Sequence, residues 1–115
     1  MENKFELLHV GINTANAEEA AKLAELLSVT FNLAPRHGNK SEFAGSYFEC
    51  MKAPFLGTNG HVAMGTADLE AAVAELKEKG YTFNMDTAAY NDDGKLKNIY
   101  LDGEFGGFAI HLRQK

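Results

Sequence analysis

The chain has 115 residues, 45% of them apolar and 23% charged, which suits one soluble globular domain and is too few for two independent ones. Net charge is −5, from 16 acidic and 11 basic side chains. With no basic run, that balance argues against nucleic acid, whose phosphates require clustered cations. Apolar stretches break well short of a membrane span, Met1-Glu2-Asn3-Lys4 has no signal-peptide character, and the lone Cys50 excludes an internal disulfide, so a cytoplasmic protein is the expectation.

The first element expected is a strand through Leu8-His9-Val10-Gly11-Ile12. Asn16 follows as a helix N-cap, with Glu19 three residues on in a capping-box-like pattern. Ala20, Leu23, Ala24, Leu27 and Phe31 then recur at helical spacing as one apolar stripe, and Pro35 stops the helix. Turns at His37-Gly38-Asn39 and Ala44-Gly45-Ser46 separate short strands, the last near 47–51.

From His61 the pattern begins again. His9-Val10-Gly11-Ile12-Asn13-Thr14-Ala15-Asn16 aligns with His61-Val62-Ala63-Met64-Gly65-Thr66-Ala67-Asp68 at an offset of 52 residues. Glu25-Leu26 aligns with Glu75-Leu76 at an offset of 50, as if the first helix held two extra residues. The second helix is capped by Asp68 or Thr66, carries Leu69, Ala72, Val73 and Leu76 on one face, and ends at Gly80. Strands near 81–86, 95–101 and 107–113 follow, around turns at Asn91-Asp92-Asp93-Gly94 and residues 102–107. The order is βαβββ twice, in one domain of two modules, about 5–58 and 59–115.

Side chains alternate across a strand, so parity decides which can meet. Leu8, Val10 and Ile12 oppose His9 and Gly11; Val62 and Met64 oppose His61 and Ala63. Phe48 and Cys50 oppose Tyr47, Glu49 and Met51; Phe108, Ile110 and Leu112 oppose Ala109, His111 and Arg113. Every strand has one apolar face suited to packing under helices. His9, Glu49, His61 and His111 fall on the opposite faces, His9 and His61 at equivalent positions of the two repeats. Imidazole and carboxylate are the donors a divalent metal takes. The alternative is a polar sheet surface open to water. His37, in a turn and without a repeat partner, reads as a surface residue.

These residues resemble the vicinal oxygen chelate superfamily, which includes glyoxalase I, bleomycin-resistance proteins and extradiol dioxygenases. The matching positions are His9, Glu49 in Phe48-Glu49-Cys50-Met51, His61 in Gly60-His61-Val62-Ala63-Met64, and His111 in Gly106-Gly107-Phe108-Ala109-Ile110-His111-Leu112. The resemblance implies an α+β fold, eight strands of a mixed sheet curled around a cavity with helices outside. It also implies a divalent metal (Zn, Ni, Fe or Mn) held by His9, Glu49, His61 and His111. Most metal-dependent relatives carry glutamate where this chain has His111, which argues against glyoxalase I activity. His9-Val10-Gly11-Ile12-Asn13 and the stretch leading to His111 are also similar to an accessory C-terminal domain of some bacterial keto-hydroxyglutarate/keto-deoxy-phosphogluconate aldolases.

The functional expectation is chelation of a small, oxygenated, anionic metabolite of the 2-oxo acid or sugar-acid type, with possible lyase or isomerase chemistry. Glu49 is the candidate base, and Arg113, Tyr47 and Tyr100 are candidate substrate contacts. The alternative is a binding, sequestering or accessory module without turnover. A homodimer is expected, because a half-barrel leaves sheet edges and one cavity side uncovered.

Overall fold

Two polar side chains start the two helices. Asn16 Oδ1 accepts the Glu19 N–H at 2.9 Å and Asp68 Oδ1 accepts the Ala71 N–H at 3.1 Å, each filling one of the donor positions a helix leaves open. The first helix stops where Asn32 turns left-handed (φ 56°), the second at Gly80 (φ 96°). The computed structural model describes residues 2–115. In chain order the elements are β1 (Glu6–Asn13), α1 (Ala17–Phe31), β2 (Pro35–His37), β3 (Ser41–Ala44), β4 (Phe48–Met51), β5 (Gly60–Thr66), α2 (Leu69–Glu78), β6 (Phe83–Tyr90), β7 (Leu96–Leu101) and β8 (Phe108–Gln114).

The α+β architecture is the expected one, βαβββ twice in a single eight-stranded mixed sheet of order β2-β3-β4-β1-β5-β8-β7-β6. In each half the opening strand pairs in parallel with the closing one, β1 with β4 and β5 with β8, and the halves join through antiparallel β1 and β5. Both helices cover one face. Ala20 and Ala24 bring α1 close to the buried Cys50, with Leu23 and Leu27 alongside. Under α2 a larger cluster forms from Leu69, Phe83, Leu96, Ile99 and Leu112, with Val73, Leu76 and Ile110 packed against it. The radius of gyration is 15.0 Å, where a compact chain of this length has about 13 Å. The sheet is open, with β2 and β6 at its edges, and the molecule extends 42 × 27 × 24 Å along its principal axes.

Several local expectations need correction. Phe31 is not on the buried stripe of α1: it is 61% exposed, because the buried positions run Ala20, Ala24, Ser28 and Phe31 ends the helix. With 15 residues against 10, α1 exceeds α2 by five rather than two. His37 closes a short edge strand instead of a turn, although it is exposed, and its ring meets Glu42 Oε1 at 2.6 Å. β6 begins two residues later than expected and runs on to Tyr90.

Candidate metal centre

The strand register sets the candidate residues in two rows across the face away from the helices. One row runs Glu49, Gly11, His61, Ala109 on β4, β1, β5 and β8. The next runs His9, Ala63, His111, Tyr100 on β1, β5, β8 and β7. Large polar side chains alternate with glycine or alanine along the first row, and the second offsets the pattern by one strand until His111 meets Tyr100. Glu49, His9, His61 and His111 each therefore have a small neighbour on an adjacent strand. Gly11 is the extreme case: a Cβ there would lie 2.6 Å from His61 Nε2 and nearer still to Cε1 and Nδ1. The imidazole of His61 occupies the space that any other residue at position 11 would fill.

This packing brings four side chains together. His9 Nε2 and His61 Nε2 are 3.3 Å apart, and Glu49 Oε1 lies 3.3 Å from the first and 3.2 Å from the second. A ring nitrogen offers either one proton or one lone pair, so hydrogen bonds can satisfy at most two of these three contacts at once. A central cation would draw on all three lone pairs. Donors about 2.1 Å from a common ion stand about 3.0 to 3.4 Å apart for right-angle to tetrahedral arrangements, and the observed triangle lies in that range. His111 places a nitrogen within 4.8 Å of those of His9 and His61, and both of its ring nitrogens are buried without a hydrogen-bond partner among the described residues. Buried polar atoms in native structures nearly always have a partner, protein, water or ion. The residues present fit a divalent cation.

Ser41 completes the arrangement. Its buried hydroxyl donates to Glu49 Oε2 at 2.7 Å, leaving Oε1 turned toward the imidazoles. Hydrogen bonds from His61 and Ser41 outweigh burial and hold the Glu49 carboxyl down at about 2. Burial pushes His111 down to about 4, helped by the charges of His61, Arg113 and His9, and burial also lowers His9. At neutral pH the cluster offers a carboxylate, and His9 and His111 are uncharged, the forms in which these side chains bind metals.

The His111 shift has a consequence for the metal-free protein. Its folded value, about 4, lies below its ordinary 6.5, so the unfolded chain takes up a proton that the folded chain refuses. The stability it supplies is complete above pH 6.5 and is lost as pH falls toward 4, by up to about 3 kcal/mol. Urea unfolding of chelator-treated protein at pH 7 and pH 4.5 should show this drop, with a much flatter profile for His111→Phe. Equal pH slopes in the two proteins would contradict the burial argument.

The four side chains line a cleft of about 260 Å³ together with Tyr100 and Arg113. The Tyr100 ring stacks parallel on His111 with centroids 4.3 Å apart, and Phe55 meets it edge-on at 6.1 Å. Burial, then the Glu49 charge, raises the Tyr100 phenol to about 12, so it stays protonated and can donate a hydrogen bond. Tyr47 does not line the cleft and is 55% exposed just before β4. Lys40, Met51 and Phe55 line the cleft without having been singled out in the sequence, as Ser41 had not been. Strand parity had set Met51 on the face of Glu49, and Gly11 carried a readable signal as a glycine on the face of His9.

No protein-family model matches the chain, and no curated protein matches it in sequence. Solved structures do resemble it. A hypothetical protein from Bacillus halodurans C-125 aligns with a TM-score of 0.64 at 16% identity, over 97% of this chain and 95% of the other. Methylmalonyl-CoA epimerase from Mycobacterium tuberculosis aligns at 0.61 and 18% identity, over 94% and 86%. Another methylmalonyl-CoA epimerase aligns at 0.64 and 19% identity, over 99% and 98%. At such identities the likeness establishes a shared glyoxalase-like fold, both halves included. These three structures lend no support to the resemblance to aldolase accessory domains.

Proposed function

We propose that this chain is a metal-dependent vicinal oxygen chelate protein that takes a small, oxygenated, anionic metabolite, with His9, Glu49, His61 and His111 as the metal ligands. The observation that carries this reading is the triangle of Glu49 Oε1, His9 Nε2 and His61 Nε2, each 3.2 to 3.3 Å from the others, beside a buried His111 with two unpartnered nitrogens. When bound, a divalent ion from the Zn, Ni, Fe or Mn group would supply Lewis acidity and a template for two neighbouring oxygens. Three neutral imidazoles and one carboxylate leave a net charge of +1, which favours an anionic chelator such as a 2-oxo acid or sugar acid. Ser41 holds Glu49 in place, and Tyr100 donates a hydrogen bond from its neutral phenol. Arg113 offers a planar fork for a carboxylate or phosphate. Glu49 is the only acid lining the cleft, so any proton transfer by a side-chain carboxylate falls to it.

That single carboxylate also favours a second reading, binding without turnover, as in a sequestering protein or an accessory module to an enzyme of 2-oxo sugar acids. One set of measurements separates the two. Metal analysis of protein purified under metal-replete conditions should find about one divalent ion per chain. Calorimetric titration and turnover assays with 2-oxo acids, hydroxy acids and sugar acids then follow. Binding with product formation supports an enzyme, and binding alone supports the second reading. The glutathione–methylglyoxal hemithioacetal should not be turned over, because His111 stands where glyoxalase I relatives carry glutamate. Efficient isomerisation of it would show that Glu49 suffices alone.

The cytoplasm is the proposed setting and a homodimer the proposed assembly. Support for the dimer comes from the open sheet, whose edge strands β2 and β6 carry unpaired backbone, and from Met85 and Tyr90 exposed on β6. Sedimentation should give twice the 12.6 kDa chain mass; a monomer at every micromolar concentration would reject it.

A further inference from the structure

The cleft holds two cations that no acidic side chain answers. Arg113 and Lys40 both line it, and neither forms a salt bridge among the described residues. Lys4, Arg36, Lys77, Lys95 and Lys97 form no salt bridge among the described residues either, so what marks these two is their place: both line the cleft of the ligand cluster, where the anionic groups of a ligand would meet them. They also sit apart. Arg113 pairs across the sheet with Gly65 and Asn98, one step past the row that holds His111. It lines the same cleft as His9 and His111. Lys40 precedes Ser41, which pairs with Met51, one step past Glu49 in the opposite direction. The two cations therefore flank the ligand cluster from diagonal corners. A cleft of about 260 Å³ has room for about nine water-sized groups, which suits a small acid rather than a bulky conjugate held entirely within it.

We propose that the cleft selects small dianions. One anionic group, next to the chelating oxygens, lies on the Arg113 side of the ligand cluster, and a second, carboxylate or phosphate, reaches Lys40 at the far corner. This rests on the chelating site proposed above and adds Lys40 as the residue that distinguishes a dianion from a monoanion. A ligand with one anionic end would satisfy the metal and Arg113 but leave Lys40 to solvent.

Calorimetric titration of wild-type protein, metal-loaded and chelator-treated, with pyruvate, 2-oxoglutarate, glycerate and 3-phosphoglycerate tests it; the second and fourth add a far anionic group and leave the chelating oxygens of their partners intact. At least one dianion should bind at least about tenfold more tightly than its monoanionic counterpart at low salt. The preferred pair tells whether the far group is a carboxylate or a phosphate. In Lys40→Gln the ratio should fall to about one, whereas Arg113→Gln should weaken both members of a pair. Equal binding of monoanion and dianion by the wild type, or a ratio that survives Lys40→Gln, overturns the proposal. Metal content is measured in the same samples. A wild type that takes up no metal rejects the metal site, and the dianion ratio of the metal-free cleft then decides the Lys40 assignment by itself.

Discussion

A divalent ion at a hundredfold excess over its dissociation constant should raise the wild-type melting temperature by about 10 °C, and His61→Ala should abolish the rise. Binding to the native state alone at that excess stabilises by about 2.7 kcal/mol, and a domain of this size gains about 4 °C for each. His61 is the variant to use because its Nε2 lies 3.3 Å from His9 and 3.2 Å from Glu49 and its side chain is the most buried corner of the triangle. Truncating it removes one corner of that triangle and one of the three imidazoles whose ligand atoms lie within 4.8 Å of one another. Loss of the buried ring lowers stability by itself, so the metal effect is the difference in melting temperature between metal-loaded and chelator-treated samples of the same variant. His9→Ala should behave alike. If wild type and variants bind equally little metal under replete conditions, the polar face is structural and the reading of the site fails.

Gly11→Ala should lower metal affinity by about a hundredfold while the fold persists, the size of effect seen when groups that orient metal ligands are removed. Gly11 is not among the glycines with positive φ, so alanine is compatible with its backbone. On backbone grounds alone the change should stabilise the protein by about 0.4 to 1 kcal/mol, by restricting the unfolded chain. The space decides otherwise. The new methyl group and the His61 ring cannot coexist, so the ring must swing off the cluster or β1 and β5 must part. Fluorescence or calorimetric metal titration, with melting of the metal-free protein as control, separates a displaced ring from a damaged sheet. Metal affinity within about twofold of wild type would mean that His61 reaches the cluster by another route.

Much of the architecture is written in the order of the residues. The offset between His9 and His61 marked two copies of one unit, and the caps Asn16 and Asp68 both form as expected. Parity placed His9, Glu49, His61 and His111 on the face away from the helices because side-chain alternation is a local property of any extended strand. Phe31 and the true length of α1 were not readable, since helical periodicity shows which residues share a stripe and not where the sheet beneath it ends.

Strand pairing lies beyond local pattern. Parity says that Glu49 and His61 can point the same way; it does not say that Gly11 lies between them, or that Ala63 separates His9 from His111. Those neighbours come from the order β4-β1-β5-β8, set by closing loops of tens of residues, and from a register in which a slip of one residue would turn every side chain to the other face. Ser41 and Lys40 belong to the same class: they come to the site because β3 folds back on β4. The donor types and their common face followed from the order of the residues along the chain. The distances among them, the burial that depresses His111 and the pairing of each donor with a small neighbour were decided by packing, because they depend on atoms far apart in the chain.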